Sequence, residues 1–189
     1  MLLLKLIMPL HPKQDFLNHY FKDAWSGDLA SYQYSGPALL SHVRPTDRVI
    51  DVGCGDNYFK GKIPNLVGVD PANPKADIMI AIEDYETDKK FDIAFCLGSI
   101  NFGTHEIIEA QIAKVVSLLT PCGRIFWRCN PGRKDHASKL CEEIDFYPWT
   151  FELLEDYARQ FGFKVVAAKL DRNSRNERLY CEWQRIFSE

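Results

Sequence analysis

The residues best able to do chemistry lie in Val49-Ile50-Asp51-Val52-Gly53-Cys54-Gly55 and in Leu66-Val67-Gly68-Val69-Asp70. Two glycines one residue apart remove side chains where a backbone must pass against a ligand. Asp51 stands two residues before the first glycine, and Asp70 closes the second apolar run. An acid at the tip of that strand is placed to accept hydrogen bonds from both hydroxyls of a ribose. Strand, glycine turn, short helix, strand and terminal acid form the plan of a site for an adenosine-containing cofactor.

Three features separate this pattern from a dinucleotide site. The phosphate-binding pattern wants a third glycine three residues after the second, and Tyr58 stands there. Asp51 would repel a pyrophosphate, whereas it would attract the cationic aminoacyl end of S-adenosylmethionine. The chain also ends in two strand-like runs joined by a short polar turn, not in a second mononucleotide-binding half.

The elements that must position these residues follow from periodicity. Apolar runs predict strands at 48–52, 66–70, 77–81, 91–97, 124–128, 163–170 and 179–186. Residues 56–62 read as a short helix or loop. Ile107, Ile108, Ile112, Val115, Val116 and Leu119 share a helical stripe over 104–119, with Thr104 as the capping residue. A second helix over 151–161 starts at Thr150 and stops at Gly162. A helix over 136–143 and one near 37–43, opened by Pro37, complete the pattern. The aromatic N-terminal segment carries Phe16, Tyr20 and Phe21 on one helix side, while residues 1–9 read as a strand or packing segment. Lys5 interrupts that apolar run and no small-residue cleavage site follows it. The last two strands have only a short connection and must pair antiparallel.

Taken in order, these motifs resemble the class I S-adenosylmethionine-dependent methyltransferase family over roughly residues 36–186. Residues 49–55 are similar to its first motif and Asp70 to its ribose-binding acid. Phe91-Asp92-Ile93-Ala94-Phe95 resembles its fourth strand, and Leu118-Leu119-Thr120-Pro121-Cys122-Gly123-Arg124 the turn into its fifth. Phe161-Gly162-Phe163 resembles the entry to its sixth strand. The resemblance implies an α/β fold with one doubly wound, Rossmann-like, mostly parallel sheet of seven strands, ordered 3-2-1-4-5-7-6 and finished by an antiparallel hairpin. It implies a single domain over 1–189 in which 1–35 caps the cofactor site. The implied cofactor is S-adenosylmethionine, with S-adenosylhomocysteine as product. Its implied contacts are Asp51, Gly53, Cys54, Gly55, Asp70, Pro71, Ile82, Glu83, Leu97 and Gly98. One departure stands out: the position where many relatives hold the adenine amino group with an acid is Ala81, leaving Ile82 to pack on the ring and Glu83 to supply the acid.

Catalytic residues are less marked. His105 reads either as a general base or as a helix-start residue facing water. Asn101 lies after strand four, where amino-methylating DNA enzymes carry a proline-bearing motif that is missing here. Tyr34, with Tyr32, reads either as an aromatic face for the sulfonium or as core. Asn130, Arg133 and His136 read as surface or as acceptor contacts. Pro121-Cys122 precedes strand five, away from the cofactor, and reads as structural.

Composition narrows the partners. A net charge of −3 over 189 residues draws the chain to neither nucleic acid nor anionic membrane. A small-molecule acceptor is therefore favoured, with nucleic acid or protein as the alternative through the arginines of 124–133 and 172–178. A cofactor-binding regulatory or partner-activating subunit is the non-catalytic alternative. No two of the six cysteines have Cys-x-x-Cys spacing, so no metal site is expected. Free cysteines in apolar runs suit a reducing, cytoplasmic setting.

Overall fold

A computed structural model describes residues 14–24, 28–134 and 144–186. The expected N-terminal strand at 1–9 and helix at 136–143, with His136, lie outside the described residues.

Six strands form one sheet: β1 (Val49–Val52), β2 (Leu66–Val69), β3 (Phe91–Leu97), β4 (Leu119–Cys129), β5 (Phe163–Arg172) and β6 (Glu177–Arg185). Their order is β2-β1-β3-β4-β6-β5. β2, β1, β3 and β4 run parallel, and β6 pairs antiparallel with both β4 and β5. The terminal hairpin thus takes the form its short connection demands.

The seven-strand expectation is corrected to six, and with it the order. Residues 77–81 reach the sheet only through a single bridge between Val69 and Ile78. The reason is local. The carboxylate of Asp77 accepts from the Gly68 backbone N–H at 2.9 Å, so a side chain occupies a donor that a ladder would use. Lys60 pairs with the same carboxylate. Beyond the bridge, Met79 is 65% exposed and has no core to enter.

Three α-helices are described: α1 (Gln14–His19), which runs into a π turn at Tyr20–Ala24, α2 (His105–Ser117) and α3 (Phe151–Gln160). Ile108, Ile112 and Val115 of α2 and Leu154, Tyr157 and Ala158 of α3 pack against Ile50, Ala94, Ile125 and Trp127 on one sheet face. Alternation sends Val49, Ile93, Phe95 and Phe126 to the other face. No described α-helix covers that face. Leu39 of the 3₁₀ segment Pro37–His42 fills it together with Phe59 and Ile63 of the loop after the glycine turn. Residues 56–62 are turns without a helix, pinned by Asn57 at φ 53°.

The caps explain where the helices stop. Thr150 Oγ1 accepts from Leu153 N at 3.1 Å, and Gly162 follows α3 at φ 77°. Thr104 stands at the start of α2, but its side chain makes no capping bond there. No helix among the described residues is long and apolar enough to cross a membrane.

Candidate active site

At the carboxyl ends of β1 and β2 the chain makes the glycine turn. Gly53 has φ 64° and Gly55 φ 51°, backbone that L side chains rarely adopt. The Gly53 and Cys54 amides both donate to Val69 O, at 2.7 and 3.1 Å, which locks the turn onto β2. A Cβ on Gly53 would stand 2.2 Å from Ser99 Cβ, so β3's exit packs where a side chain would be.

Asp70 braces the same turn. Its Oδ2 accepts from Gly55 N at 3.0 Å, while Oδ1 accepts from Ala72 N at 2.9 Å and Asn73 N at 2.8 Å. A carboxylate offers about four acceptor sites, so roughly one remains, on Oδ2. The structure therefore leaves room for one ribose hydroxyl on this acid more readily than for two.

Asp51 differs. It is 4% exposed and makes no hydrogen bond among the described residues. Burial pushes its carboxyl up to about 7; the Arg128 guanidinium opposes the rise and Asp70 adds to it. Arg128, buried at the end of β4, donates to Leu97 O and, at 3.4 Å, to Ser35 Oγ. Its guanidinium lies 4.4 Å from the centre of the Tyr32 ring. Burial lowers its pKa, while Tyr32, Asp171 and Asp51 hold the charge in place. Asp51 and Arg128 line one recess with Gly53, Cys54 and Leu97. An acid and a base thus line one recess at the glycine turn, within electrostatic reach of each other. Such a pair fits the ammonium and carboxylate of an amino-acid group.

The recess adjoins a cavity of about 340 Å³, within the ordinary range of small-molecule sites. Gly53, Gly55, Asp70, Pro71, Ile82, Glu83, Leu97 and Gly98 line it, as does Asn101. Cys54 lies in the recess alone, its thiol pushed far up by burial. Ile82 and Glu83 sit on a 3₁₀ turn, and Glu83 accepts from Gln111 of α2. Asn101 Oδ1 accepts from Asn130 N at 2.9 Å, which leaves its amide nitrogen for the cavity.

His105 and Tyr34 are not brought into this lining. The His105 Nδ1 lies 2.7 Å from Tyr157 Oη and 3.2 Å from Tyr147 Oη, in a polar triangle between α2 and α3. Tyr34 packs 5.8 Å from the Tyr180 ring, with Lys169 over its face. Its backbone N–H donates to the buried Asp171, as does that of Ser35, both at 2.9 Å.

Sequence reasoning did not single out Arg128 as an individual site residue, because its partners lie on distant segments. Nor did it single out Phe102, Phe146, Asn173 or Asn176, all in the lining. The N-terminal residues Leu17, Tyr20, Phe21 and Tyr32 line the cavity as well. Among the described residues no group of three His, Cys, Asp or Glu side chains could hold a metal ion.

No protein-family model and no curated protein sequence matches the chain. Solved structures do. A Burkholderia thailandensis 1,6-didemethyltoxoflavin-N1-methyltransferase, solved with 1,6-didemethyltoxoflavin and S-adenosylhomocysteine, is similar with a TM-score of 0.70 and 19% identity. The match covers 92% of this chain and 86% of that one. A Synechocystis magnesium protoporphyrin IX methyltransferase with bound S-adenosylmethionine gives 0.60 and 16%, over 79% and 76% of the two chains. The Bradyrhizobium japonicum N-methyltransferase NodS with S-adenosylhomocysteine gives 0.58 and 13%, over 93% and 88%. The chain has the α/β fold that these methyltransferases share.

Proposed function

We propose that the protein is an S-adenosylmethionine-dependent methyltransferase acting on a small molecule. The observation that carries this reading is that Asp51 and Arg128 line one recess at the glycine turn: a buried carboxylate with no hydrogen bond among the described residues, sharing the recess with a buried guanidinium. A group with both an ammonium and a carboxylate satisfies both at once, and the methionine end of S-adenosylmethionine is such a group. A nucleotide pyrophosphate would set two negative charges against Asp51. The structural neighbours solved with S-adenosylmethionine or its product support the same choice.

The residues present fit the rest of the donor. Asp70 keeps an acceptor site for a ribose hydroxyl. Ile82 offers an apolar face to adenine, and Glu83 an acceptor to its amino group, the role left open by Ala81. When bound, S-adenosylmethionine supplies a methyl group already activated on a sulfonium. The chain's part is then to align and to exclude water. Tyr20, Phe21 and Tyr32 close the cavity from the N-terminal side. Asn101, held by Asn130 N, presents its amide nitrogen toward an acceptor. Among the described residues no histidine, lysine or cysteine lines the cavity, whose titratable side chains are carboxylates, arginines, Tyr20 and Tyr32. This suits an acceptor whose nucleophilic atom carries its own lone pair or charge.

The test is incubation with methyl-labelled S-adenosylmethionine and cell extract separated into small-molecule, nucleic-acid and protein fractions. Label in the small-molecule fraction is expected. Label confined to nucleic acid or protein would overturn the acceptor class, and no label in any fraction would favour a cofactor-binding subunit.

A further inference from the structure

The end of the cavity away from the donor residues has its own chemistry. Asp70 and Glu83 follow β2, at one edge of the sheet, while the tip of the β5–β6 hairpin lies beyond the other edge. That tip contributes Asn173, Arg175, Asn176 and Arg178 to the cavity lining. In a chain of net charge −3 the two arginines are a local feature, not a reflection of overall charge. Three aromatic rings, Phe21, Phe102 and Phe146, line the same cavity. The Phe21 and Phe102 rings lie 5.4 Å apart and the Phe102 and Phe146 rings 5.3 Å apart, each partly exposed.

The hairpin tip is built, not loose. Asn173 Oδ1 accepts from the backbone N–H of Arg175 at 2.8 Å and of Asn176 at 2.6 Å, and Asn173 N donates to Asn176 O at 3.0 Å. Below it, Asp171 ties the same hairpin to the Tyr34–Ser35 backbone. The Arg175 side chain has no ion-pair partner among the described residues. Asn176 Oδ1 is buried without a hydrogen bond among the described residues, a group that a ligand's N–H or O–H would satisfy. Guanidinium forks recognise planar oxyanions, and aromatic walls recognise flat rings.

We propose that the acceptor is a flat aromatic or heteroaromatic molecule carrying an anionic oxygen, a carboxylate or an ionised ring hydroxyl, received by Arg175. The ring lies along Phe21, Phe102 and Phe146. Arg128 is already committed to Leu97 O, Ser35 and the donor's carboxylate, and the buried Arg178 donates to Glu177 O, so Arg175 supplies the second anion site. This inference rests on the methyl-donor reading, which assigns Arg128 and Asp51 to the other end.

Three probes share one ring and differ in charge: 2-naphthoate, 2-naphthamide and 2-naphthylmethylamine. Each is titrated by calorimetry into the full chain, with and without saturating S-adenosylhomocysteine. The naphthoate is expected to bind about tenfold more tightly than the amide, the ratio that one charge-assisted hydrogen bond supports. The amine is expected to bind weakest. Arg175→Gln, on an exposed side chain, removes most of that preference and leaves S-adenosylhomocysteine affinity unchanged. A naphthoate bound no better than the amide, a preference for the amine, or a preference untouched by Arg175→Gln overturns the proposal. Failure of the donor reading is seen separately, as absence of heat from S-adenosylhomocysteine alone. The probe ranking is still scored on the ligand-free protein.

Discussion

At the scale of single residues, Asp51 and Asp70 are two acids with different work. Asp70 spends three of its acceptor sites on backbone amides, so it holds the glycine turn as well as facing the cavity. Asp70→Ala should lower stability by about 1–3 kcal/mol, the cost of leaving buried donors unpaired, and weaken S-adenosylhomocysteine binding as well. Denaturant melts and calorimetry on the same variant check both parts. Asp51 titrates near 7 in the folded state, above its unfolded range of about 4. Between these values the native state holds a proton that the unfolded chain has released, so stability falls as pH rises through the window. Asp51→Asn removes that fall, and at a pH of about 8 the ligand-free variant should melt higher than the wild type. Binding runs the other way. The ammonium of the donor favours the ionised carboxylate, so wild-type affinity should rise with pH toward about 7 while Asp51→Asn stays flat. Both acids were legible in the sequence because they flank the glycines and close a strand. Arg128 was not, since nothing near it in the chain shows that Asp51, Leu97 and Ser35 converge on it.

At the scale of elements, the strongest signals were those written locally. Thr150 and Gly162 bracket α3, and the Ile107–Val115 stripe marks α2. The short 173–176 connection forced the hairpin. What failed was the third strand, since its apolar run is outweighed by Asp77 capturing the Gly68 amide, a contact between segments that periodicity does not register. His105, which in sequence reads either as a general base or as a helix-start residue facing water, meets Tyr157 of α3, and the two rings pack at 5.5 Å. The link between the N-terminal segment and the hairpin was also invisible, because Asp171 lies far along the chain from Tyr34 and Ser35. Asp171 is fully buried and accepts both of their amides. Asp171→Ala should cost about 3 kcal/mol. That is a fall in Tm of about 6–12 °C for a chain of this length, readable by calorimetry. It should weaken acceptor-probe binding more than S-adenosylhomocysteine binding, since it frees the hairpin and not the glycine turn.

At the scale of the whole molecule, the sheet sets the glycine-turn lining of the cavity at the exits of β1 and β2, near one edge, and the hairpin lining beyond the other, which we propose receive donor and acceptor respectively. α2 and α3 occupy one face and leave the strand exits open, so the cavity forms where the parallel strands end. Leu17, Tyr20, Phe21 and Tyr32 of the N-terminal segment line it. The fold is shared with methyltransferases at 13–19% identity, which is why motif order, not overall sequence likeness, carried the reading. The most direct test of the central claim is a calorimetric titration of the intact chain with S-adenosylhomocysteine and, separately, with NAD. Saturable, one-to-one binding of S-adenosylhomocysteine that Asp51→Asn weakens is expected, with no heat from NAD. Saturable binding of NAD with none of S-adenosylhomocysteine would contradict that claim.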